Sequence, residues 1–267
     1  MSYFPVNQAA MPLGSALRAL LGLTWIEARR SQLIPLLLLL VLVVESLAWF
    51  MGAIAITESS EIRLATCTWL YRCGLVFIFL VHVIGSLVRE IESGFLHVLL
   101  AHPLSRTQYV IGRLAGFSLI ALGAALAISG LLAWHTPPAG FNGWLLWATS
   151  FVLEMLLVTA IAVFFALGFA RLLPALLAAS TFYVLARLLD VIRAMAQSPV
   201  GQDPNSFSAA GSRWVLDLLA WITPPLGSFT RTEWLLLPGS LASAPSPITL
   251  LGWTIAASCL LTTAAIV

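Results

Sequence analysis

A chain of 267 residues with 60% hydrophobic and 9% charged residues, net charge +2 and mean hydropathy +1.00 is too apolar for a water-soluble fold of its size. Soluble domains carry roughly 25% charged residues, and this length offers no interior large enough to hide so much apolar surface. All 13 basic residues are arginine, which excludes a phosphate-binding G-x-x-x-x-G-K loop and a lysine Schiff base. The small, scattered charge argues against a nucleic-acid partner.

Residues 1–11 are polar, without a charged leader or early cleavage site. From 12 to 30, Leu13, Leu17, Leu20, Leu21 and Trp25 recur at helical spacing, with Arg18, Glu27, Arg29 and Arg30 between or after them. That pattern predicts an amphipathic helix lying in the membrane interface. Six apolar runs long enough to cross a bilayer follow, at about 33–53, 64–88, 114–134, 144–170, 175–195 and 248–267. The last ends inside an apolar run with no flanking charge, as a shortened span would. The expected fold class is therefore an all-α integral membrane protein forming one transmembrane domain. Seven arginines (18, 29, 30, 89, 106, 113, 171) fall on one side and three (63, 213, 231) on the other. The positive-inside rule then puts the N-terminus in the cytoplasm.

Two connections are more than joints. The cytoplasmic stretch 89–112 has charges first (Arg89, Glu90, Glu92), then Gly94, then Phe95, Leu96, Val98, Leu99 and Leu100, and a stop at Pro103. Acidic residues suit a helix N-terminus and proline ends one, so a short amphipathic helix is expected there. It could lie on the membrane surface or enter a partner's groove. The outer stretch 197–247 is rich in Pro, Ser and Gly, yet holds the apolar islands 214–222 and 234–237. Such islands are too apolar for water and too short to cross. They are expected to dip into the outer leaflet, with Trp214, Asp217, Trp221, Pro224 and Pro225 forming an outer gate.

Charges at bilayer depth are functional candidates by default. Glu45, Arg72 and Arg187 fall at one depth, with Glu154, Asp190 and Arg193 nearby. The set reads either as an internal ion-pair network, with local pairing among Arg187, Asp190 and Arg193 and pairing of Glu45 with Arg72, or as the polar lining of a substrate cavity. Cys67, Cys73 and Cys259 read as small core residues. Cys67, Cys73 and His82 share a span but point to different faces. His97 and His102 are not at metal-pair spacing, and no metal site is expected. H-E-x-x-H and G-x-S-x-G are absent from the sequence, so an intramembrane enzyme has no known motif here.

The run Glu90, Gly94, Leu96, Leu99, Leu100, Pro103, Ser105, Arg106, Tyr109, Gly112, Arg113 between spans two and three resembles the signature of type-2 ABC transporter permeases. Residues 25–32, with Glu27 and Arg30, are similar to that family's interfacial elbow helix. Residues 222–231 are similar to its segment after the outer re-entrant helices, with Thr223 where asparagine is usual. The resemblance implies a permease subunit, similar to those of nitrous-oxide reductase maturation operons, in the bacterial inner membrane. It implies no catalysis and no cofactor in this chain, with ATP and magnesium on a partner ATPase. That ATPase would be held by Glu90, Glu92, Gly94, Phe95, Leu96, Leu99, Leu100 and Pro103. A second permease copy or related permease, membrane lipid and a periplasmic protein complete the implied partners. The alternative is a membrane anchor that passes ATP-driven motion to a periplasmic protein without moving a substrate.

Overall fold

The computed structural model describes residues 13–94, 105–136, 141–197, 214–219, 223–236 and 245–266. Helices α1 (Leu13–Arg30), α2 (Leu33–Ile54), α3 (Ser59–Glu92), α4 (Arg106–Ala133), α5 (Phe141–Phe169) and α6 (Leu172–Gln197) come first. Residues 214–219 form α7. A 3-10 turn (Leu226–Ser228), α8 (Glu233–Leu236) and α9 (Pro247–Ile266) follow. No strand occurs among the described residues. Six of the helices, α2 to α6 and α9, are long and apolar enough to cross a membrane, so the chain is a multi-pass membrane protein. The helices exceed the expected spans mainly at α3, which is 34 residues long.

α3 and α5 form the centre. α5 packs against α3, α4, α6, α8 and α9, while α2 lies on α3 and α1 lies along α4. α3 buries Tyr71, Leu75, Phe79, Val83 and Leu87 at four-residue spacing, and α5 buries Trp147, Phe151, Met155 and Val158. Lipid tails compete equally for apolar side chains, so helices in a bilayer associate through close packing of small residues and through polar contacts. α4 supplies the small residues. Gly112 and Gly116 leave room for Leu20 and Thr24 of α1, and a Cβ on Gly116 would sit 2.6 Å from Thr24 Oγ1. A Cβ on Gly143 of α5 would lie closer still to the backbone carbonyl oxygen of Trp234 in α8.

Local signals fix several ends. Ser105 caps α4 by accepting from Gln108 N at 3.2 Å, while Gln108 Oε1 accepts from Ser105 N at 3.0 Å, a reciprocal capping box. α3 ends at Gly94, whose φ of 72° is the left-handed conformation that terminates helices. Arg29 and Arg30 occupy the last turn of α1, where cations complement the helix dipole. The outward faces are apolar, with Leu38, Leu42, Leu177 and Leu260 exposed. Trp49, Trp134 and Trp214 are exposed toward the end opposite α1, in keeping with an aromatic belt at an interface.

Candidate functional site

Two buried polar clusters organise the bundle, one at the α1 end and one near mid-depth. The first is built on Arg113, which is fully buried in α4. Its Nη1 donates to Thr24 Oγ1 at 2.9 Å and its Nη2 to Glu27 Oε2 at 2.9 Å, both on α1. Its Nε donates to Glu90 Oε2 at 3.2 Å, and Nη2 forms an ion pair with Glu90 Oε1. Tyr109 OH donates to Glu90 Oε2 at 2.6 Å, and Ser86 Oγ donates to Glu27 Oε1. The guanidinium also lies 5.1 Å from the Phe117 ring centroid. One arginine thus holds α1, the last turn of α3 and the first turns of α4. A rigid fork of five donors suits this three-way contact.

Glu90 and Glu92 lie in the last turn of α3, not in the first turn of a separate helix as expected, because α3 continues unbroken to Glu92. The Glu90 carboxylate faces inward to Arg113 and Tyr109, while Glu92 is exposed. Gly94 follows as the helix stop. Phe95, Leu96, Leu99, Leu100 and Pro103 lie outside the described residues, as does Trp221 of the expected gate.

The second cluster gathers Arg72 (α3), Ser150 and Glu154 (α5), Tyr183 and Arg187 (α6) around Thr230, in the segment that returns between the 3-10 turn and α8. Glu154 is fully buried. It accepts from Tyr183 OH at 2.7 Å, Arg187 Nη1 at 3.4 Å and Thr230 Oγ1. The Thr230 carbonyl accepts from Arg72 Nη1 at 2.9 Å and Arg187 Nη2 at 3.4 Å, and its N–H donates to Ser150 Oγ at 2.6 Å. Arg187 Nη1 also donates to the Leu226 carbonyl at 2.6 Å. Thr230 has a φ of 45°, which is unusual for a β-branched residue. Such a conformation persists only where surroundings over-determine it, and these bonds do so.

Arg72, Glu154 and Arg187 therefore meet, as their common depth suggested, but Glu45 does not join them. Its carboxylate accepts from Tyr71 OH at 2.6 Å and lies 3.1 Å from His135 Nε2. The expected Glu45–Arg72 pairing is replaced by Arg72–Thr230, because adjacent residues on α3 point about 100° apart. His135, just past the end of α4, reaches the Glu45 carboxylate, so the α2–α3 hairpin rises beyond the end of α4. Arg187 and Arg193, for which local pairing with Asp190 is expected, each have a partner on another element. Arg187 turns to Glu154, and Arg193 Nη2 donates to Asp217 of α7 at 2.6 Å. The Asp190 side chain lies outside the described residues. Of the expected gate, Trp214 and Asp217 are exposed and Pro224 is buried.

Thr24, Ser86, Ser150, Tyr183 and Thr230 went unread in the sequence. Hydroxyls in apolar helices carry no pattern of their own. Gly112-x-x-x-Gly116, a small-residue packing pattern, went unread as well. No family model matches the chain, and no curated protein matches it.

Proposed function

We propose that the chain is the permease subunit of an ATP-driven transporter of the type-2 ABC class, working as an exporter in a bacterial inner membrane with its N-terminus in the cytoplasm. ATP and magnesium belong to a separate nucleotide-binding subunit, and a second permease copy or a related permease completes the membrane unit. The observation that supports this reading best is the Arg113 node. It joins α1 and both flanks of the 95–104 segment, where an ATPase would push. A buried ion network has few alternative arrangements, so force on that segment would enter three helices as one body. α1 is then the elbow helix, 95–103 the coupling segment, and α7, α8 and residues 223–236 the outer re-entrant region.

A second reading, transmission of motion to a periplasmic partner without a substrate, draws support from the mid-depth cluster. Thr230 of this chain already engages Arg72, Glu154 and Arg187, which leaves them less free to line a cavity.

Coexpression with a candidate ATPase from the same gene neighbourhood tests the proposal. Leu99→Asp/Leu100→Asp should abolish copurification, whereas Arg113→Met should keep the ATPase bound and lower the stimulation of its ATP hydrolysis by the membrane unit. Full copurification by the double aspartate variant would refute the docking site.

A further inference from the structure

We propose that Glu45, Cys67 and His135 form a binding site for a borderline-soft divalent cation of the Zn2+ class at the end of the bundle opposite α1. The three residues come from α2, α3 and the turn after α4, and each offers a different donor: carboxylate oxygen, thiolate sulfur and imidazole nitrogen. One ligand atom from each lies within 4.8 Å of the other two. His135 Nε2 is 3.2 Å from Glu45 Oε1 and 3.1 Å from Oε2. Zinc bonds of about 2.0–2.3 Å at tetrahedral angles place ligand atoms about 3.3–3.6 Å apart. The His135–Glu45 edge is therefore already at coordination length, and Cys67 needs only a small approach.

The donor set also selects the ion. Mixed S, N and O ligation suits zinc, whereas magnesium and calcium want oxygen alone. Three protein ligands leave a fourth position for water or a small ligand. A carboxylate and a thiolate neutralise a divalent charge, so the loaded site carries none into apolar surroundings, where an uncompensated charge is costly. On binding, the Cys67 thiol loses its proton to water, His135 presents a free Nε2 lone pair with its proton on Nδ1, and sulfur and nitrogen each donate a lone pair to the metal, with no change of oxidation state. Tyr71 OH, donating to Glu45 Oε1 at 2.6 Å, orients the carboxylate from outside the ligand set, as the outer partners of metal ligands do. Glu45 and His135 are only partly buried, which gives the ion a way in. Residue spacing hid the site, because Glu45, Cys67 and His135 are far apart in the chain and His135 stands outside the apolar runs. The site is independent of any ATPase.

Cobalt(II) titration of the full-length chain, purified in detergent and stripped with chelator, tests the site. The expected result is saturation at one cobalt per chain with a thiolate-to-cobalt charge-transfer band that zinc displaces. Cys67→Ser should abolish the band, while the Cys73→Ser/Cys259→Ser variant keeps it. Tyr71→Phe should weaken binding about 10–100-fold, and His135→Ala and Glu45→Gln at least as much. Melting of each variant in chelator, matched to the parent chain, separates a lost ligand from a lost fold. No saturable binding, a band that survives Cys67→Ser, or a band lost in the Cys73/Cys259 variant would overturn the site.

Discussion

Arg113 shows how much one side chain can decide in a membrane protein. With its guanidinium removed, Glu27 and Glu90 would face each other with only Arg89 among the described residues, 4.0 Å from Glu27, to offset them. Breaking a buried ion pair by deleting one partner costs about 3–5 kcal/mol, so Arg113→Met should lower thermal stability in detergent strongly. Arg113→Met combined with Glu27→Gln and Glu90→Gln should recover most of that loss. Equal damage in the single and triple variants would show that volume, not charge, is what matters. Arg113→Lys should not rescue, since an ammonium cannot reach three partners as a fork. The mid-depth cluster permits a sharper comparison. Arg187 and Glu154 are 3.4 Å apart, so a double-mutant cycle on them should give a coupling of about 0.5–3 kcal/mol. Arg72 and Glu45 share no bond, and their cycle should be additive within about 0.5 kcal/mol. Thermal or denaturant unfolding in one detergent measures both.

Between helices, the smallest side chains fix position. Gly116→Leu should push α1 off α4 and open the Arg113 node, which protease cleavage within α1 would report as faster loss of that helix. Gly143→Ala meets a backbone carbonyl of α8 rather than a flexible side chain, so it should displace the returning segment and destabilise more than Gly123→Ala, which meets nothing within 4 Å. The long elements were legible because ~20 apolar residues in a row have one plausible use in a chain this poor in charge. The amphipathic α1, the short α8 and the break at Pro224-Pro225 were legible for similar reasons of period and punctuation. The partners of the charges were not. Arg72 and Thr230 are 158 residues apart, and periodicity says which face a residue takes, never which distant residue waits there. A common depth suited the meeting of Arg72, Glu154 and Arg187, yet depth does not say which way a side chain faces, and it is Tyr71 rather than Arg72 that turns to Glu45.

For the molecule as a whole, α3 sets the dimensions. Its 34 residues rise about 51 Å at 1.5 Å each, against roughly 30 Å of hydrocarbon. It must therefore tilt or project on both sides, as the level of His135 beside Glu45 indicates for one of them. In a cysteine-free background, Ser60→Cys and Ser93→Cys should react with a membrane-impermeant maleimide from opposite faces. With the N-terminus in the cytoplasm, Ser60→Cys labels in intact spheroplasts and Ser93→Cys only after permeabilisation. The reverse result would invert the topology and remove the basis for docking an ATPase at 95–103. The exposed apolar faces of α2 and α9 suit the hydrocarbon of a bilayer, and they account for much of the chain's apolar composition.

The closure of the mid-depth cluster by Thr230 has a consequence for biogenesis. Arg72 is made 158 residues before the carbonyl that receives it, a delay of about 8–30 s at roughly 5–20 residues per second. During that interval a guanidinium at bilayer depth costs at least about 2.5–3.5 kcal/mol. Before Thr230 exists, α3 is better placed shifted along its axis, with Arg72 nearer the headgroups. Synthesis of the segment after α6 should then draw α3 and α6 to their final depth together. The native register of α3 would in this way await a carbonyl made long after α3 itself.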